Sequence, residues 1–224
     1  MTPNLHIIVG HYGSGKTEFA VSFARKLRKG GAEVALADLD IVNPYFRSRE
    51  HAGELEAMGI HVVSSNFDND WKVDIPALSG EIYSFFENPQ RENILDVGGN
   101  AAGARVLARF FDRIRRMNYD MWMVVNTNRN ETQTAEEAIA FAESIQRMSG
   151  LKINGIISNT HMLGETTVED ILKGDRISRE IAERLQIPYK YVICSQDMTE
   201  ECSALHLSAP LFPMEVFLRP DYLR

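Results

Sequence analysis

The stretch GHYGSGKT at positions 10–17 constrains the fold more than any other feature of the chain. Gly10, Gly15, Lys16 and Thr17 satisfy the pattern G-x-x-x-x-G-K-[ST], in which glycines let backbone N–H groups turn inward around phosphate oxygens. A chance match somewhere in 224 residues has a probability of about 1%. The setting strengthens the match. LHIIVG (5–10) is a short β-rich apolar run, and Phe19, Ala20, Phe23, Ala24 and Leu27 follow at helical spacing. Strand, loop and helix in that order place the positive end of the helix dipole on the same phosphates. The candidate nucleotide-binding residues of the loop are therefore Gly10, His11, Gly13, Ser14, Gly15, Lys16, Thr17 and Glu18. Lys16 is expected to neutralise the β and γ phosphates, and the Thr17 hydroxyl to ligate Mg²⁺.

Further along, apolar runs alternate with helical patterns. AEVALAD (32–38), IHVVSS (60–65), NILDVGG (93–99), DMWMVVNTN (120–128), INGIISNT (153–160) and YKYVIC (189–194) read as strands. Val106, Leu107, Phe110, Phe111 and Ile114 form one helical stripe, and Ala135, Ala138, Ile139, Ala142 and Ile145 another. A third helical region spans about Thr167 to Leu185, with a break expected near Gly174. Strands that are apolar throughout, rather than alternating, imply a mainly parallel sheet covered by helices on both faces, the doubly wound α/β class. No linker divides the pattern, so residues 1–224 are read as a single nucleotide-binding domain.

In such a sheet ligands bind beyond the carboxyl ends of the strands, which makes polar residues just after strands the site candidates. ILDVGG (94–99) ends a strand in Asp96, where a carboxylate can hold a Mg²⁺-bound water, and Gly98 and Gly99 allow close approach to a γ-phosphate. Asp38 and Asp40 in DLD lie two residues apart, so an extended backbone points both the same way, toward one metal or one water. Two like charges so placed call for a cation, although a pair of solvated acids is the plainer alternative. IVNPYFRSRE (41–50), with Arg47 and Arg49, reads as a loop that meets a ligand or partner, or as a solvated helix start. NTNR (126–129) reads equally as a ligand contact and as a capping turn into the next helix.

The phosphate loop, the D-x-D after the second strand, the D-x-G-G after a later one, and an asparagine about 60 residues beyond it resemble the MinD/ParA/Mrp family of P-loop ATPases and its wider CobQ/CobB group. The resemblance implies an ATP-binding nucleotide switch that hydrolyses ATP with Mg²⁺. In it Lys16 and Thr17 hold phosphate and metal, Asp38 and Asp96 act through metal-bound water, and Asp40 positions the attacking water. It further implies that Asn159 contacts the adenine, with backbone near Ser195 to Asp197 closing over the base. Adenine also follows from what is missing, since WKVD (71–74) and LKGD (172–175) lack the first residue of the guanine-reading N/T-K-x-D pattern. The family implies a protein partner or client and a homodimer sandwiching ATP. Relatives of the dethiobiotin synthetase and amide synthetase type offer the alternative of phosphate transfer to a small-molecule carboxylate, with loops at 43–50, 66–74 and 161–166 lining the acceptor pocket.

One position departs from the family. Its loop is typically K-G-G-x-G-K-[ST], and the first lysine is replaced here by His11, which is mostly neutral at pH 7 when unperturbed. His11 can donate a hydrogen bond or merely shape the loop, and Arg47 or Arg49 can supply the missing charge as arginine fingers do. The departure also leaves room for a module that binds nucleotide without turnover.

Charge and composition exclude other classes. A formal net charge of −7 argues against nonspecific binding to nucleic acid or anionic lipid. No segment approaches the roughly 18 apolar residues of a membrane span, the run Ile7 to Val9 is too short for a signal-peptide core, and Pro210, Pro213 and Pro220 break any long terminal helix. A cytoplasmic protein without a membrane anchor is expected. Cys194 and Cys202, with seven residues between them and no CxxC, read as buried thiols.

Overall fold

The apolar runs become strands because both of their faces can be buried at once. The computed structural model describes residues 3–40, 51–64, 80–162 and 164–218. Arg47, Arg49, the rest of 41–50, NFDNDWKVD (66–74) and Pro220 lie outside them. Eight strands form one sheet: β1 (Leu5–Gly10), β2 (Val34–Leu39), β3 (Ile60–Ser64), β4 (Glu92–Val97), β5 (Tyr119–Val125), β6 (Gly155–Ser158), β7 (Tyr189–Ser195) and β8 (Leu211–Met214). Their order is β3-β2-β4-β1-β5-β6-β7-β8, and every adjacent pair is parallel.

The helices lie on both faces, as parallel crossovers require. On one side α1 (Lys16–Lys29) and α2 (Ala52–Ala57) pack Phe19, Phe23 and Leu55 onto Ile8, Leu36 and Ile94. On the other, α3 (Ala101–Ala108), α4 (Phe111–Ile114), α5 (Ala135–Ser149) and α6 (Val168–Leu185) cover Ile7, Val9, Leu95 and Met123. Consecutive residues of β1 thus alternate between two cores although all are buried, which is why the run shows no polar alternation. Thr134 and Thr167 open α5 and α6 with capping boxes closed by Glu137 and Asp170. No described helix is long and apolar enough to cross a membrane.

Two elements differ from the sequence reading. The sequence marks the prolines near the end only as helix breakers, yet Leu211–Met214 adds an eighth strand beside β7. Pro213 is tolerated because β8 is the edge strand of the sheet, with no further neighbour among the described residues to call for an N–H there. The break expected near Gly174 is also absent, since α6 runs unbroken from Val168 to Leu185. A Cβ at Gly174 would stand 2.3 Å from Thr160 Oγ1 and 2.8 Å from Ser158 Oγ, so glycine there lets α6 approach the end of β6. In an open helix Gly→Ala gains about 1 kcal/mol. Here Gly174→Ala is expected to lose about 1–3 kcal/mol through overpacking, read as a lower urea midpoint; a raised midpoint would refute the close-packing account.

Candidate nucleotide-binding site

The sheet order sets the site. β1 lies between β4 and β5, so the loop leaving β1 has the end of β4 on one side and the ends of β5 and β6 on the other. Gly13 (φ 76°) and Gly15 (φ 83°) take left-handed backbone that side chains disfavour, and Gly15 caps α1 without any side-chain hydrogen bond. A helix N-terminus capped in this way, with the positive end of its dipole, is a position suited to an anion. Ser14 is buried, with its Oγ lacking a hydrogen-bond partner among the described residues.

On the β4 side, charge converges on Lys16. This lysine is only 5% exposed, with Nζ 3.4 Å from Thr17 Oγ1 and 3.9 Å from Asp40 Oδ2. Asp38 Oδ1 accepts the Asp40 N–H at 2.9 Å, and strand pairing sets Asp38 directly opposite Asp96. Three buried carboxylates thus surround one buried ammonium. Burial pushes the Asp96 carboxyl up to about 7, opposed by Lys16, reinforced by Asp38, and further modulated by the Thr17 hydroxyl and Asp40. The other Asp96 oxygen, Oδ1, has no hydrogen-bond partner among the described residues. An excess of hard oxygen donors with an orphaned carboxylate oxygen fits a divalent cation such as Mg²⁺. Among the described residues no group of three His, Cys, Asp or Glu holds a metal by itself, so such a cation would need oxygens from a ligand as well.

On the β5 and β6 side, the loop is braced through its carbonyls. Asn159, 2% exposed, donates Nδ2 to Ser14 O at 2.7 Å. Arg129 Nε donates to Gly13 O at 3.1 Å, with Asn126 Nδ2 on the same oxygen at 3.5 Å. NTNR is therefore not the cap of α5, a role held by Thr134; Asn126 Oδ1 instead closes its own turn on the Asn128 N–H at 2.9 Å. Lys173 of α6 pins that turn through Thr127 O and Asn128 Oδ1, each at 3.2 Å. In the sequence Lys173 appears only as the lysine of LKGD, and its contact with this turn depends on α6 lying beside the end of β5.

The remaining candidates are placed as follows. His11 turns toward its own chain, with Nδ1 3.1 Å from Tyr12 O and 3.7 Å from Glu131 Oε2, and its ring edge on Phe141 at 5.4 Å. The Glu18 carboxylate accepts the N–H groups of Phe217 and Leu218, the latter at 3.1 Å, tying α1 to the segment after β8. Ser195 ends β7 and opens a 3-10 turn (Gln196–Met198), two strands from β5. Both cysteines are buried, as expected.

A parallel sheet with a phosphate loop between its central strand and first helix is the architecture of a P-loop nucleoside triphosphatase. Residues 7–185 match the CobQ/CobB/MinD/ParA nucleotide-binding domain, and the chain belongs to that family. No curated protein sequence gives a significant match. Among solved structures, chloroplast FtsY from Physcomitrella patens aligns with a TM-score of 0.57 and 18% identity, over 84% of this chain and 57% of that one. FtsY from Thermotoga maritima aligns at 0.55 and 18%, over 84% and 60%. The signal recognition particle 54 kDa protein from Aeropyrum pernix K1, in complex with GDP, aligns at 0.52 and 19%, over 84% and 41%. At such identities the likeness is one of fold, and the chain spans between 41% and 60% of the length of these three.

Proposed function

We propose that this chain is a single nucleotide-binding unit that binds ATP with Mg²⁺, hydrolyses it, and acts as a nucleotide switch on a protein partner or client. The observation that carries the reading is the convergence of Lys16, Thr17, Asp38, Asp40 and Asp96 at the N-terminus of α1, where the loop's Gly15 caps the helix without a side-chain hydrogen bond. In this reading Gly10, His11, Gly13, Ser14 and Gly15 cradle the phosphates through their backbone, and Glu18 adds its own N–H because its carboxylate is engaged elsewhere. Lys16 neutralises the β and γ phosphates. Thr17, Asp38 and Asp96 are the residues that would hold Mg²⁺, which supplies charge neutralisation. Asp40 orients the attacking water, its carboxylate held near Lys16 and its backbone on Asp38. Asn159 keeps Nδ2 on Ser14 and presents Oδ1 to the adenine amino group, with the turn after Ser195 covering the base. A homodimer across the nucleotide face is compatible with a loop whose His11 contacts its own Glu131.

Calorimetric titration with ATP, ADP and GTP, each with Mg²⁺, followed by single-turnover phosphate release, tests the reading. Asp40→Ala is expected to keep ATP affinity within about threefold and to lose about 100-fold in hydrolysis, the usual scale for a misplaced general-base or water contact. Hydrolysis at the wild-type rate in Asp40→Ala would remove the water-positioning role, and tighter binding of GTP than ATP would overturn the adenine assignment. Phosphate appearing in a metabolite adduct instead of solution would favour the small-molecule alternative.

A further inference from the structure

The chain is acidic overall, yet residues 101–118 hold five arginines, Arg105, Arg109, Arg113, Arg115 and Arg116, against one acid, Asp112. α3 and α4 bury Ala104, Leu107, Phe110 and Ile114 toward the sheet, so spacings of three and four residues send the arginines outward, and all five are exposed. Arg113 is paired with Glu87 at 3.5 Å and stands 4.9 Å over the exposed ring of Tyr83; Arg115 is paired with Asp112 at 3.1 Å. Arg105, Arg109 and Arg116 enter no ion pair with a described residue. Like charges at helical spacing oppose one another, so this face gains from an anionic partner.

The same helix is anchored to the nucleotide site at its start. Gly99 O accepts the Tyr12 N–H of the phosphate loop at 3.1 Å, and a Cβ at Gly98 would stand 3.0 Å from Asp40 Oδ1. Asn100 then caps α3 by accepting the Gly103 N–H at 2.7 Å. Gly98 and Gly99 thus join the phosphate loop directly to α3, which carries Arg105 and is followed by Arg109.

We infer that the outer face of α3 and α4 docks an acidic segment of a partner protein, and that docking depends on the nucleotide held beneath Gly98 and Gly99. The second half of this inference rests on the switch reading proposed above. Arginine rather than lysine suits carboxylates, because the planar fork binds them through two parallel hydrogen bonds. A protein fits better than a nucleic acid. Glu87 and Asp112 already neutralise Arg113 and Arg115, so the remaining cations Arg105, Arg109 and Arg116 are discrete points that suit individual carboxylates rather than a continuous phosphate backbone.

The test uses the full chain with a fluorescein-labelled oligoglutamate as probe and a labelled single-stranded DNA for comparison. Anisotropy is read with Mg²⁺ and either ADP or a non-hydrolysable ATP analogue, at low and physiological salt. Wild type is expected to bind oligoglutamate more tightly than DNA, with an affinity that falls with salt and differs between the two nucleotides. The triple variant Arg105→Glu, Arg109→Glu, Arg116→Glu is expected to bind the probe at least about tenfold more weakly, with ATP affinity and thermal midpoint unchanged. The corresponding Gln triple should lie between them. Lys16→Ala is expected to keep probe binding but lose the nucleotide difference, so failure of the switch reading is distinguishable from failure of the docking face. Equal binding by wild type and the Glu triple, no binding of the peptide by wild type, or tighter binding of DNA would each overturn the docking proposal; identical affinity in both nucleotide states would overturn its coupling.

Discussion

Lys16→Ala is expected to weaken triphosphate binding by about 100- to 1000-fold, the largest loss from any single change at the site. The ammonium is nearly excluded from water and stands beside Thr17 Oγ1 and Asp40 Oδ2. Removing one member of a buried charge cluster costs about 3–5 kcal/mol, because the groups left behind lose their counter-charge. Here the penalty acts twice on the ligand. The phosphates lose the cation that neutralises them, and they meet Asp38, Asp40 and Asp96 with nothing between. A decade of affinity corresponds to about 1.4 kcal/mol, so the lower part of that cost, about 3–4 kcal/mol, gives the stated range. Calorimetric titration of ATP into both proteins decides the matter, with thermal melting to verify that the variant is folded. Wild-type affinity in Lys16→Ala would show that phosphate is bound elsewhere and would remove the site assignment. Lys16→Arg is expected to recover little, since a forked guanidinium does not fit where one ammonium sits between two oxygens.

The features legible in the sequence are those written locally along it. Six buried residues in a row at Leu5–Gly10 and again at Val34–Leu39 are the mark of a parallel sheet interior, and the chain spells them out. The phosphate loop and the acids ending β2 and β4 were legible for the same reason. What escaped depends on tertiary neighbours. Gly174 looks like a breaker in one dimension and becomes a contact surface only when Thr160 lies beneath it. Pro213 reads in the sequence only as a helix breaker, and its place in a strand follows from β8 lying at the edge of the sheet. The turn at Asn126–Arg129 reads in the sequence equally as a ligand contact and as a helix cap, and its role as a brace on Gly13 depends on β5 lying beside β1 across more than a hundred residues of sequence. His11 was recognised as a departure, but its pairing with Glu131 and Phe141 required α5 to be in place.

Asp96→Asn is expected to move stability and function in opposite directions. Burial, together with Asp38 and Asp40, raises this carboxyl to about 7 in the folded protein, against a model-peptide value of 3.8. Between those two pH values the folded chain holds a proton that the unfolded chain has released, so unfolding gives up a proton and stability falls as pH rises. Below about 4 both states are protonated, and above about 7 both are ionised and the cost is constant. Fully expressed, a difference of this size is about 4 kcal/mol. An amide at this position has no charge to desolvate and can still meet the Thr17 hydroxyl. In the absence of nucleotide and with chelator present, Asp96→Asn should therefore melt higher than wild type at pH 8, with the gap closing toward pH 4. The same variant should lose most of the Mg²⁺-dependent gain in ATP affinity, because the orphaned Oδ1 is the atom that fits a cation. Melting curves across pH and ATP titrations with and without Mg²⁺ measure the two arms separately. A variant less stable than wild type at pH 8 would mean that Asp96 is ionised and paired in the nucleotide-free protein. An undiminished Mg²⁺ effect would take Asp96 out of the metal site. The proposed site requires both signs together, since a carboxylate that destabilises the empty fold is kept for what it binds.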